Sequence, residues 1–376
     1  MKIAIVGGHL SPSLAVIDAL PKEAEIIFIG RKNTFEGDSA VSLEYKVITE
    51  RGIPFYSLKT GRLQRSFTKH TFPSLFKLPQ GYVEAVKILR SEKVSCVVSF
   101  GGYISLPVAF AARTLSIPLI IHEQTMQAGM ANKIIGKFAQ TICLSWESSQ
   151  AYFDSSRSVL TGNPLRKYNV GDNTYPILKS EKDKPFLFIT GGSAGSHVLN
   201  TLVEQSLLEL LQQYRVLHQT GDAQDYHDFE RLTKIASTLP NELKERYALY
   251  KFIEPSQIKS IFENADLVIG RSGINTVTEL LYFGTPSLLI PLSTGQRNEQ
   301  WTNAAFIQEK GMGILLPQDK ATKETLLDHI QRIVHNTSYK TAAAKGKIYV
   351  YPGAAAHIVE IITDAATKKI TQKGKK

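Results

Sequence analysis

Residues 184–203 read KPFLFITGGSAGSHVLNTLV. An apolar run of strand length, 186–189, meets a glycine-rich turn, 191–195, and a helical pattern follows from His197. Strand, glycine turn and helix in that order open a βαβ unit of the kind that binds nucleotides. The chain itself begins the same way. MKIAIVGGHLSPSLAVIDAL, residues 1–20, places an apolar run before Gly7 and Gly8, then His9, then a helical stretch. One opening used twice in 376 residues decides the fold. The length suits two domains, and each starts as a doubly wound α/β domain starts. Neither turn fits G-x-G-x-x-G, which argues against a nicotinamide dehydrogenase.

Working outward, apolar runs predict strands at 2–6, 25–30, 94–100, 118–123 and 141–146, with helices near 12–20, 82–91 and 106–115. LTGNP stops the pattern at Pro164, and polar residues follow to Lys184. The pattern then restarts. Strands are expected at 215–218, 247–252, 265–270, 287–292 and 313–316, with helices near 197–212, 256–263, 275–283 and 299–308. Apolar strands covered on both faces imply parallel sheets. Two such domains joined near 162–183 would leave a cleft, and both glycine turns, at carboxyl ends of strands, would face it.

Composition narrows the function classes. With 43% hydrophobic and 21% charged residues and no low-complexity block, the chain reads as globular. Cys96 and Cys143 are isolated in apolar runs and make neither a disulfide framework nor a zinc site. No signal peptide is expected, because the first apolar run stops at Gly7. The uncharged stretch 94–112, VSCVVSFGGYISLPVAFAA, has the length of a spanning helix. Gly101, Gly102 and Pro107 cut it, so strand, turn and helix explain it better. The net charge of +10 comes partly from the tail KKITQKGKK, which reads as disordered. It also comes from 61–79, where Arg62, Arg65, Lys69 and Lys77 alternate with Phe67, Phe72 and Phe76. That mixture suits an anionic membrane surface; a loop with tucked-in aromatics is the plainer alternative. No nucleic-acid motif accompanies the charge.

Several turns carry polar residues. Glycines at 191–195 would let backbone amides approach a phosphate, with Ser193 adding a hydroxyl. At 265–291, ADLVIGRSGINTVTELLYFGTPSLLIP, a strand ends at Gly270 and a helix starts near Ile274, with Arg271 an exposed cation beside it. Glu279 on that helix could accept ribose hydroxyls. Gln296, Asn298, Gln300 and Asn303 supply amides that suit sugar hydroxyls, or a helix cap at Asn298. In the first half, His122, Glu123, Gln124 and Asn132 lie at and just beyond the end of a predicted strand.

These blocks, with GGYISLP, TGNPLR, HQTG, GTPSLLIP and NEQWTNAA, occur in an order that resembles the bacterial MurG family. The resemblance covers nearly the whole chain. It implies an α/β GT-B glycosyltransferase of two Rossmann-like domains facing a cleft. These would be an acceptor and membrane-associating domain at 1–163, a UDP-sugar donor domain at 164–350, and a C-terminal helix and basic tail at 351–376. It implies inverting transfer of N-acetylglucosamine from UDP-N-acetylglucosamine to undecaprenyl-linked lipid I, without a cofactor or metal, at the cytoplasmic face of the membrane. Arg166 and Ser193 match residues near the donor diphosphate, and Arg271 matches the arginine of the RSG motif. Phe252 and Ile253 match the uracil segment, Ile274 and Glu279 the ribose helix, and Gln300 with Asn303 the sugar segment. Gly7, Gly8, Tyr103, Gln124 and Asn132 match acceptor-side residues. His9 is the first candidate base, with Glu123 and His122 behind it. The segment at Arg62–Lys77 falls where a membrane patch is expected. The chain departs from the family in its first loop, two residues shorter than GGTGGHxxP. Thr125 stands for Asn, and Glu299 for His or Gln. Another GT-B enzyme with a different acceptor, a silent UDP-sugar-binding protein, and a UDP-sugar epimerase are the alternatives.

Overall fold

The computed structural model describes residues 1–33, 41–58, 60, 71–166, 175–178, 183–221, 226–292 and 298–373, the side chains of 71–77, 255 and 368–373 excepted. The chain divides into two compact units, Met1–Arg166 with Tyr351–Lys376, and Lys167–Val350. Arg166 thus closes the first unit rather than opening the second.

The first unit is built on β1 (Lys2–Val6), β2 (Glu25–Gly30), β3 (Phe55–Ser57), β4 (Cys96–Ser99), β5 (Leu119–Glu123), β6 (Thr141–Leu144) and β7 (Ser158–Leu160). They form one parallel sheet in the order β3-β2-β1-β4-β5-β6-β7. The period of two along β1 sorts its side chains between two cores. Ala4 and Val6 pack with residues of the helices Thr71–Ser91 and Ser105–Thr114. Ile3 and Ile5 pack with residues of Leu10–Ala19 and with Ile358, Ile362 and Ala366 of the helix Ala354–Lys373. The C-terminal helix is therefore part of the first unit's core. It also runs into the tail whose composition suggested disorder. No Gly or Pro interrupts residues 354–373, so the helix has no breaker before Gly374.

The second unit repeats the plan with β8 (Phe186–Thr190), β9 (Arg215–Gln219), β10 (Tyr247–Tyr250), β11 (Leu267–Gly270), β12 (Ser287–Leu289) and β13 (Gly313–Leu315). Their order is β10-β9-β8-β11-β12-β13, all parallel. Leu187, Ile189, Leu267 and Ile269 join residues of the helices His197–Gln213 and Lys323–Val334 in one core.

Some elements were not expected. β3 and β7 are three-residue edge strands, only partly buried, so they lack a contiguous apolar run. The helix Thr71–Ser91 begins eleven residues before the predicted 82 and carries Pro79 inside it. Proline removes one backbone bond and kinks a helix without always ending it. The stretch 94–112 is strand, glycine turn and helix. Among the described residues no helix is long and apolar enough to cross a membrane. Of the basic and aromatic segment, Arg62, Arg65, Phe67 and Lys69 lie outside the described residues. Phe72, Phe76 and Lys77 lie on the long helix, with their side chains outside the description.

Both sheets reverse their winding once, between β1 and β4 and between β8 and β11. Ligands of open parallel sheets bind beyond the carboxyl ends of the strands at such switch points. The glycine turns follow β1 and β8, one at each switch.

Candidate functional site

At the first switch point, two glycine turns pack face to face. A Cβ on Gly8 would run into the Gly101 carbonyl and lie 2.8 Å from that of Phe100. One on Gly102 would lie 3.1 Å from Gly8 Cα, and Gly101 and Gly102 have φ of +84 and +80°. Only glycine permits this approach and those angles. Tyr103 packs at the edge of the core just after them. His9 is the residue before the helix Leu10–Ala19, and its side chain makes no capping bond. The empty Cβ position of Gly101 is flanked by His9 Cδ2 at 3.7 Å and Asn132 Nδ2 at 3.6 Å, so both residues border one spot. His9 keeps some exposure, yet loss of water lowers its pKa below the ordinary histidine value, with Glu123 acting in the opposite sense. The imidazole is then mostly neutral near pH 7 and able to take a proton.

The end of β5 has a different character. Glu123 is 2% exposed, and both its oxygens are engaged. Oε1 accepts the Thr125 amide at 3.0 Å and lies 2.7 Å from the Thr125 hydroxyl. Oε2 accepts the Gly129 amide at 2.8 Å and Asn132 Nδ2 at 3.1 Å. The carboxylate thus organises the loop after β5 instead of standing open to a substrate. Thr125, where the family has Asn, is part of that hold. His122 is buried in the core beside Phe100. Its Nε2 lies 3.0 Å from Ser145 Oγ, and desolvation pushes its pKa down to about 3. Neither residue is placed as a base, and both position neighbours. Gln124 is buried too, its carbonyl accepting Trp146 Nε1 at 3.0 Å. The sequence reading missed Ser145 and Trp146, because their partners sit at the end of another strand; it named Thr125 only as a departure from the family, not as a partner of Glu123.

At the second switch point the turn after β8 is longer. Thr190 Oγ1 accepts the Gly192 amide at 2.9 Å, and the Gly195 amide donates to Gly192 O at 3.1 Å. Gly192 and Gly195 have φ of +79 and +76°. A helix cannot contain such residues, so the helix starts at His197 with Ser196 as its cap. Ser193 is exposed on the turn, ahead of the helix N-terminus where it was expected. The neighbouring loop braces this turn: a Cβ on Gly195 would meet the Thr220 carbonyl, and one on Gly221 the Gly195 backbone. Gly192 by contrast has nothing within 4 Å of a Cβ, and neither has Gly273 across the switch. Among the described residues the amides of Ser193, Ala194, Ser196, His197 and Val198 make no hydrogen bond. An orphan N–H takes water or an anionic ligand.

Arg271 lies between these open glycines in chain order and follows β11. It is partly buried, not the exposed cation expected, and Nη1 donates to Ile290 O at 2.8 Å. Burial lowers its pKa to about 10, which leaves it charged. Behind it, Ser272 Oγ donates to Gln300 O at 2.7 Å and Asn303 Nδ2 donates to Ser272 O at 2.9 Å. Asn303 is fully buried, so it supports the turn rather than reading a sugar directly. Gln300 Oε1 accepts the Leu292 amide at 3.0 Å. Asn298 precedes the helix Glu299–Glu309 but its side chain does not cap it, and Gln296 lies outside the described residues. Ile274 begins the helix Ile274–Phe283 as a buried residue, with the partly exposed Glu279 on its second turn. After β10, Phe252 is 51% exposed and Ile253 is buried. Arg166, partly buried, ends the first unit. Among the described residues no group of three or more His, Cys, Asp or Glu is placed to hold a metal ion.

Two doubly wound units, each with glycine turns at its switch point, make up a GT-B fold. Comparison with known proteins specifies the family. Residues 6–144 match the glycosyltransferase family 28 N-terminal domain, and residues 186–357 match the family 28 C-terminal domain. A UDP-N-acetylglucosamine–N-acetylmuramyl-(pentapeptide) pyrophosphoryl-undecaprenol N-acetylglucosamine transferase of Clostridium botulinum (strain Langeland) is 31% identical over 92% of this chain and 95% of its own. The protein of that name from Clostridium perfringens (strain SM101) is 32% identical over 89% and 90%. The crystal structure of Acinetobacter baumannii MurG superposes with a TM-score of 0.74 at 25% identity, covering 96% of this chain and 99% of that one. The chain belongs to the MurG family of glycosyltransferases.

Proposed function

We propose that this chain transfers N-acetylglucosamine from UDP-N-acetylglucosamine to the muramyl 4-hydroxyl of lipid I, forming lipid II on the cytoplasmic face of the membrane. The observation that carries the donor side is the second switch point. Gly192 and Gly273 stand open on its two flanks, with a charged Arg271 and unbonded amides beside them. From β10 to β11 is three strand spacings, about 14 Å, which is room to lay out a base, a ribose and a diphosphate in line. The uracil would lie at Phe252 and Ile253, the ribose at Glu279, and the diphosphate at Ser193 and Arg271. Gln300 would face the sugar. The names of the relatives at 31 and 32% identity support the same substrates.

In the reaction, the acceptor oxygen attacks the anomeric carbon as the bond to UDP breaks. The bonding electrons leave on the diphosphate, where unbonded amides and Arg271 stabilise them. His9 takes the hydroxyl proton, and the α-linked donor gives a β-linked product. The acceptor would be held by Gly7, Gly8, Tyr103, Gln124 and Asn132. The basic and aromatic segment of Arg62–Lys77 would rest on anionic lipid.

The test follows radiolabelled UDP-N-acetylglucosamine with a lipid I analogue, scoring transfer and UDP release together. Transfer matched by UDP release is expected. Binding of UDP with no release would favour a silent binding protein, and transfer to another lipid alone would favour a different GT-B enzyme. His9→Ala should lower kcat by about 10²–10⁴; an unchanged kcat at saturating acceptor removes His9 as base.

A further inference from the structure

Glu44 is a partly buried acid, its Oε1 enclosed, that the proposed mechanism does not use. It lies in the first turn of the helix Leu43–Glu50. Ser42 fixes that turn to the end of β2: its hydroxyl donates to Arg31 O at 2.7 Å and accepts the Tyr45 amide at 3.1 Å. The carboxyl is thereby held against two glycines. A Cβ on Gly7 would fall on Glu44 Oε1, and so would a Cβ on Gly30. Phe28 and Phe55, stacked at 5.6 Å, line the same space. Oε1 is buried and has no hydrogen-bond partner among the described residues.

We propose that Glu44 is a positioning residue for the first glycine turn, which admits a diphosphate-bearing acceptor when Glu44 is a neutral acid and opposes it when Glu44 is a carboxylate. The proposal rests on the acceptor reading given above. A purely structural filler of this slot would be met by an amide or an apolar chain, without the cost of burying a group that can ionise. Among the described residues, the groups facing the carboxyl are Gly7 just after β1, Phe28, Gly30 and Arg31 from β2 and its following residue, and Phe55 from β3. Arg31 is the charged group among them and favours the anion, but desolvation outweighs it and raises the Glu44 pKa to about 7. The group therefore changes charge in the neutral range. A carboxylate under Gly7 would repel an anion held by the turn. At an effective dielectric of about 20 and a separation of roughly 10 Å, the effect is about tenfold in affinity.

The experiment measures Kd of a short-chain lipid I analogue, without donor, for the full chain and for Glu44→Gln between pH 6.0 and 8.5. Wild-type Kd should weaken about 5- to 10-fold, and the variant should lose that part of the pH dependence. His9 is common to both proteins, so its titration cancels. Parallel profiles overturn the proposal. Should Glu44→Gln fail to fold, a His9→Gln chain, in which position 9 cannot take up a proton, decides. Calorimetric titration in buffers of different ionisation enthalpy at pH 7.5 should show proton uptake on acceptor binding, and no uptake overturns the proposal. Binding with this pH dependence but no transfer would sink the proposed function and leave Glu44 standing. No binding at either pH would sink the acceptor reading and this proposal together.

Discussion

The Glu44 carboxyl also makes a stability prediction that needs no substrate. Its pKa rises from the ordinary glutamate value of 4.5 to about 7 because burial disfavours the charge. The sign follows from proton binding. Between these two values the unfolded chain has released its proton while the folded chain retains it, so stability falls as pH rises. Below 4.5 both states are protonated and the penalty is absent; above 7 it is fully present. The full difference is about 3 kcal/mol. Partial exposure of the residue reduces it to about 2–3 kcal/mol. Glu44→Gln removes the charge and keeps the shape. Its stability relative to wild type should therefore grow by about 2–3 kcal/mol between pH 4.5 and 8. For a unit of this size that is roughly 5–10 °C in Tm. Only two tryptophans are present, Trp146 in the first unit and Trp301 in the second. A Trp301→Phe background thus lets the fluorescence of the buried Trp146 report the unit that holds Glu44. A variant-minus-wild-type difference that stays flat with pH would refute a buried, neutral Glu44.

Gly8→Ala places a methyl group against the carbonyls of Gly101 and Phe100. It should cost about 1–3 kcal/mol and raise the KM for acceptor while leaving the KM for UDP-N-acetylglucosamine alone; an unaltered melting curve would count against the face-to-face packing. Asn303→Ala leaves the Ser272 carbonyl without its donor. About 1–3 kcal/mol of stability should be lost, with a rise in donor KM, and a variant with normal donor KM would separate that turn from the donor site. The rate should fall as acid protonates the base, at a pH below 6.5 set by His9. His122→Gln should not move that limb, since His122 is already neutral down to about pH 3; a shifted limb would restore it as a candidate.

The fold was legible where the chain is buried on both faces. β1, β4, β5, β8 and β11 are central, and each carries a short, mostly apolar run bounded by turn signals, as a covered strand does. β3 and β7 were not legible, since an edge strand is only half shielded and its residues need not be apolar. The glycine turns were visible because left-handed backbone and close approach admit few other residues. What touches those turns was not. Glu44 reaches Gly7 from another helix, Ser145 reaches His122 from beyond β6, and Asn303 reaches Ser272 across thirty-one positions of sequence. No local pattern encodes such pairings. The polar cluster at 122–132 was visible as polarity alone. That Glu123 spends its oxygens on its own loop follows only from the geometry.

The shortened first loop bears on how an anion could be held there. What holds an anion at such a turn is the supply of unbonded amides and the start of a helix, more than the length of the glycine run. In this chain the helix begins at Leu10, directly after His9. Among the described residues the amides of Gly8, His9, Leu10 and Ser11 make no hydrogen bond, while the next position, Pro12, has no N–H to offer. Four donors thus remain within four residues, close to the five found around the longer turn of the second unit. The two residues missing from the family pattern include its threonine hydroxyl, yet the turn is not emptied of donors. The face-to-face packing of Gly8 on Gly101 and Gly102 braces the turn. The loss is of side-chain donors, and the backbone capacity for an anion is kept.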